Sequence, residues 1–245
     1  MAMRITTLGL SALLLGGCAG GMAGDEEMAA EGSVAGETMA GETMAEEGMA
    51  EGMMHGEAHA HMGHVTDAWE DTPEGMGFLP TARAEAEIAA QHAELAASRP
   101  DDLAWMKMHA AHVVNALDPS LEAEGPGLGY GVRPAAEGVA KHIAFASESG
   151  DATDNIRLHA GHVETSASNV VEWSEQIIER GRQVEATDSV EEAARLVMEM
   201  QAMTDAVLNG IDANGDGQVT WERGEGGIAQ AEQHMQFMRE GEGIS

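Results

Sequence analysis

Two histidine pairs carry the clearest chemistry in the chain. His109-Ala110-Ala111-His112 returns as His159-Ala160-Gly161-His162. On a helix, residues three apart project from the same side. Each pair therefore aims two imidazoles at one neighbour, and neutral imidazole is the commonest metal ligand. His92 and His142 fall on the apolar faces of two further expected helices. The spacing predicts one buried site centred on His109, His112, His159 and His162, with His142 and His92 contributing. One buried neutral histidine needs only a hydrogen bond. Several buried together carry many polar groups to satisfy, and a shared ion does that at once. Trp105 precedes His109 by one turn and is expected to wall the site from water. Gly161, inside a helical stretch, is expected to let a ligand or neighbouring helix approach closely.

All-imidazole ligation suits Cu, Zn or Ni, or a non-covalent bis-histidine haem b. No Glu-x-x-His pair is present, so the carboxylate di-iron bundle is not matched. No Cys-x-x-Cys-His is present, which excludes covalently attached haem. Met106, Met108, Met198, Met200 and Met203 offer soft thioethers, although methionine at helical spacing is more often core.

A second constellation is Asp212-Ala213-Asn214-Gly215-Asp216-Gly217-Gln218-Val219-Thr220-Trp221-Glu222. It resembles the EF-hand calcium loop. Asp212, Asn214 and Asp216 stand at positions one, three and five, the Gln218 carbonyl at seven and Thr220 at nine. Gly217 is the turn glycine. The resemblance implies Ca2+ held by these residues. It covers about a dozen residues and departs at position twelve, where Arg223 replaces the bidentate glutamate. Glu222 or Glu225 is expected to complete the shell.

The elements that must position these residues read as helices. Thr81–Ser98 presents Ile88, His92 and Leu95 on one face, and Leu103–Leu117 presents Trp105, His109, His112 and Ala116. A third helix begins at Pro134 and runs to about Ser149. The longest runs from Asp151 or Thr153 to about Arg182, with a heptad through Ile156, His159, Val163, Ser166, Val170, Trp173 and Ile177. Val190–Leu208 follows, with Val190, Ala194, Val197, Thr204 and Leu208 inward, and a short helix spans about Ile228–Arg239. Gly125–Gly131 is a crossover loop carrying the only tyrosine, Tyr130. Strand formers are scarce, with aromatics at 3%. The expected fold is all-α, a four- or five-helix bundle over 80–245 that includes the EF-hand-like helix-loop-helix at 212–223.

Residues 18–79 read as a low-complexity tether, with Ala-Gly-Glu-Thr-Met at 35–39 and again at 40–44. Gly, Glu and Met with almost no branched apolar residues build no core, so disorder is expected. The tether ends in His55, His59, His61 and His64 among Met53, Met54 and Met62, a mixture that suits copper. Before it, Arg4, the short apolar run Leu8–Leu15 and Leu15-Gly16-Gly17-Cys18 resemble a bacterial lipoprotein signal over 1–17. The resemblance implies lipid on Cys18, the chain's only cysteine, and Ala19 after it implies outer-membrane anchoring facing the periplasm. With one cysteine there is no disulfide framework. The formal charge of −31 argues against nucleic acid and anionic membranes as partners, because both are polyanions. No protein partner is legible.

Three functions are compatible with this reading. The favoured one is an anchored metal-binding protein with a calcium loop and a histidine centre. A metal-dependent oxidoreductase is the second, and a structural or stress lipoprotein with core histidines the third. No nucleophile–base triad supports hydrolysis.

Overall fold

A computed structural model describes residues 56–244, and all statements about structure below refer to them. The signal segment 1–17, Cys18 and the Met-rich repeats up to His55 lie outside the described residues. Seven helices follow in order: α1 (Glu57–Thr66), α2 (Phe78–Ala97), α3 (Leu103–Leu117), α4 (Val132–Glu148), α5 (Asp154–Ala186), α6 (Val190–Asn209) and α7 (Ile228–Gly241). A single 3-10 turn, Pro73–Gly75, separates α1 from α2. The only strand-like pairing among the described residues is one bridge between Ala68 and Met76. The chain is all-α, and no described helix is long and apolar enough to cross a membrane.

The caps explain the boundaries. Asp102, Thr153 and Ser189 each accept a backbone N–H three residues on, which satisfies a donor that the helix start leaves free. Thr153 is one of the two starting residues expected from sequence for the longest helix. The helix ranges agree within a few residues for α2 to α7. The region before Pro80 does not follow the expected tether throughout. Its last part folds as α1, and Ala58, Met62 and Val65 are buried in the core. A ten-residue helix with three core residues has too little apolar content to stand out from the Gly/Glu/Met background.

The long α5 is the spine of the bundle and packs against α3, α4, α6 and α7. Helix α1 lies on α4, and α2 on α3. Two faces differ from expectation. On α2 the deepest stripe is Ala82, Ala86, Ala89, Ala93 and Ala96, which lets the helices approach closely, while Ile88, His92 and Leu95 are half-buried beside it. On α6 the core side is Ala193, Leu196, Val197, Met200, Thr204 and Val207, and Val190 is exposed.

The crossover Gly125–Gly131 is tied down by one side chain. Glu85 of α2 is fully buried, and its carboxylate accepts the N–H groups of Leu128, Tyr130 and Gly131 at 3.0, 3.0 and 2.9 Å. Buried carboxylates persist only when hydrogen-bonded in this way. Near the start of α4, Gly138 makes room for Phe78, since a Cβ there would lie 2.4 Å from the ring. Phe78 thereby reaches His142, with ring centroids 5.2 Å apart.

Candidate metal centres

Nine histidines gather in three groups of three. Each group joins an i, i+3 pair on one helix to a single histidine on another. His61 and His64 of α1 meet His142 of α4. His109 and His112 of α3 meet His92 of α2, and His159 and His162 of α5 meet His234 of α7. The expected single centre of six histidines is therefore corrected. His109 and His112 are not brought together with His159 and His162, because each pair turns toward a different partner helix. His142 and His92 contribute to two different groups.

Geometry within the groups is uniform. The single histidine is the hub, and its Nδ1 faces the Nδ1 atoms of both pair members. The separations are 3.2 and 3.2 Å for His142 with His61 and His64. They are 2.9 and 3.2 Å for His92 with His109 and His112. They are 3.0 and 3.3 Å for His234 with His159 and His162. A ring nitrogen has one in-plane position, either an N–H or a lone pair. Each hub nitrogen has two partners at hydrogen-bond distance, so protons alone cannot satisfy the set. A cation between three lone pairs can. Two imidazole nitrogens on one ion at 2.0–2.1 Å stand about 3.3 Å apart at tetrahedral angles and about 3.5 Å apart at trigonal ones, a few tenths of an ångström above most of the observed spacings.

The electrostatics keep the lone pairs available. Burial pushes His92, His142 and His234 down from 6.5 to about 4, and the neighbouring histidines of each group add to the shift. Burial also lowers His64, His109, His159 and His162. These seven rings are thus biased toward the neutral state, the one a metal needs.

Aromatic residues are few in this chain, and they are concentrated here. Trp69 lies 4.9 Å from both His64 and His142. Trp105 lies 4.3 Å from His109 and is fixed by donating its Nε1–H to the Leu95 carbonyl at 2.6 Å. Trp221 lies 3.9 Å from His162 and 5.1 Å from His234. Phe78 and Phe145 flank the first group and Phe237 the third. Gly161, by contrast, admits nothing: a Cβ there would meet no atom within 4 Å. Met106 and Met200 are core, while Met108 and Met198 are exposed.

Three ligand-type residues escaped the sequence reading of the centre. His61-Met62-Gly63-His64 has the same spacing as the other two pairs, and that repetition was the available signal. His234 sits between Ala231 and Met238, both buried on α7.

The loop after α6 is built around Asp212. Its carboxylate accepts the N–H groups of Gly215, Asp216 and Gly217, and Asn214 also accepts from Asp216. Asp216 accepts from Gln218. Gly217 has φ +86°, as the sharp turn of such a loop demands. Glu225 is buried and accepts both the N–H and the hydroxyl of Thr220, which hold its carboxyl below the usual range. Glu222 is exposed, so of the two candidates Glu225 faces the loop. Asn169 of α5 pins the loop exit through the Glu222 and Gly226 carbonyls and the Gly224 N–H. That anchorage places Trp221 and the start of α7 against the third histidine group.

No protein-family model, no curated protein and no solved structure matches this chain.

Proposed function

We propose that the protein is a transition-metal-binding helical bundle that holds one ion in each of three histidine triads. One observation carries the reading: in every triad three Nδ1 atoms converge at ligand spacing, with no arrangement of protons that satisfies them. The net charge of −31 raises the local concentration of cations around such sites. Haem b fits poorly, because the axial imidazoles of a bis-histidine haem stand on opposite sides of the iron. Here the nitrogens crowd onto one side. Copper and zinc both suit three imidazoles. The test is metal content of the tag-free full chain. Three equivalents are expected, and His92→Ala, His142→Ala and His234→Ala should each remove one. Protein that retains no copper or zinc after dialysis against either ion would sink the reading.

The loop at 212–225 is proposed to take Ca2+ through Asp212, Asn214, Asp216, the Gln218 carbonyl and Thr220, with Glu225 closing the shell. What supports this is the spacing, the positive φ of Gly217 and the buried Glu225 turned to Thr220. Ca2+ should raise the melting temperature by mass action, and Asp212→Ala should abolish the rise. Equal melting in Ca2+ and in chelator would refute it.

Anchorage through lipidated Cys18, in a bacterial envelope and facing the periplasm, rests on the signal-like segment at 1–18. Cys18→Ser should release the protein into the soluble fraction. Wild-type protein that already fractionates as soluble would rule the anchor out.

A further inference from the structure

The three triads share a chemical peculiarity beyond their geometry. None contains a carboxylate or thiolate. Among the described residues, no triad ring is hydrogen-bonded to an acid either. Among the described residues, the histidine that pairs with a carboxylate is His59, with Glu242, outside the triads. Ligating histidines ordinarily pass their second N–H to a carboxylate or carbonyl, which makes the ligand more basic and offsets the charge of the ion. Here the opposite holds at His109, whose Nε2 is buried without any partner. An ion in such a triad keeps its whole charge, with one ring of each triad buried and two half-buried.

That charge bears on the choice of ion. The desolvation energy of an ion grows with the square of its charge, so a dication with three neutral ligands costs about four times what a monocation costs. A dication of the zinc type also seeks a fourth ligand to complete its tetrahedron. What the protein provides beside each set of three nitrogens is an indole. Three of the four tryptophans, Trp69, Trp105 and Trp221, each pack on a different triad. An indole attracts a neighbouring cation through its ring quadrupole but has no lone pair to donate as a fourth ligand.

We propose that the ion held by the triads is monovalent copper, three-coordinate through Nδ1 and walled by one tryptophan per site. The inference rests on the three-site reading above and names its ion. Copper(I) is a soft monocation for which three neutral nitrogen donors are a sufficient shell.

The experiment uses the full-length, tag-free apo protein under anaerobic conditions. Copper(I) is titrated against a chromophoric copper(I) chelator, and zinc(II) against a zinc chelator. Three copper(I) per chain are expected, and copper(I) should displace bound zinc(II) equivalent for equivalent. Trp221→Leu should shift the preference at one site from copper(I) toward zinc(II) by about tenfold, because the smaller side chain admits a water as zinc's fourth ligand. Trp221 is partly exposed, so the fold should tolerate the change; Trp69→Leu repeats the test at the first triad. Zinc(II) that resists copper(I) would overturn the inference and leave the three-site reading standing. Tryptophan variants with an unaltered copper(I)-over-zinc(II) preference would overturn it too. Failure to bind either ion would overturn the three-site reading and the inference together.

Discussion

Metal at the triads should act as three separate staples, and the size of the effect follows from the architecture. Each triad joins a different pair of helices: α1 to α4, α2 to α3, and α5 to α7. No histidine belongs to two triads. A ligand that binds only the folded chain stabilises it by about 2.7 kcal/mol per site at a free concentration 100 times Kd. For a domain of this size about 1 kcal/mol moves Tm by about 2–4 °C, so one site is worth roughly 5–10 °C. Three independent sites add to about 8 kcal/mol, because groups with no shared partner contribute additively. His234→Ala should therefore keep about two thirds of the metal-induced Tm rise. The assay is calorimetry of apo and loaded protein, wild type and His234→Ala, at one fixed free-metal concentration. The difference between apo and loaded removes the cost of losing a buried ring from the comparison. A metal-induced rise as large in His234→Ala as in wild type would show that His234 is no ligand. A rise abolished entirely by any single hub substitution would mean one shared centre, and the argument for three would fail.

The remaining expectations are simpler. His92, His142 and His234 are pushed to about 4, against 6.5 in an unfolded chain. Above about pH 6.5 neither state is protonated at these groups, so they add no pH dependence. As pH falls from there toward about 4, the unfolded chain takes up protons that the folded chain refuses, and the apo fold loses stability. Urea midpoints of the apo protein should drop between pH 7 and pH 5, and a combined His92→Gln, His142→Gln, His234→Gln variant should flatten the profile; equal slopes would contradict the assignment. Glu85→Ala strands three N–H donors of the 125–131 crossover and should cost about 3 kcal/mol or more, read by denaturation together with faster proteolysis in that loop. Gly138→Ala forces Phe78 off its seat against His142. It should cost about 1–3 kcal/mol and weaken metal binding at the first triad while sparing the other two.

Much of this molecule is local, and local features are legible in a sequence. Helical periodicity, the cap residues Asp102, Thr153 and Ser189, and the i, i+3 histidine pairs on α3 and α5 all depend on neighbours within a turn or two. So does the loop built on Asp212, whose carboxylate reaches only five residues ahead. Which histidine completes which pair is not local. His142 lies 81 residues from His61, and His234 lies 75 from His159, and only the packing of α1 on α4 and of α7 on α5 brings them together. Heptad logic placed several histidines on apolar faces and then assumed that all such faces share one centre. Seven helices have several seams, and each pair found its hub across a separate one. Helix α1 shows the limit most plainly. Its three core residues gain stability from surfaces of α2 and α4 that the chain has not yet made, so its fold is decided by docking and not by its own composition.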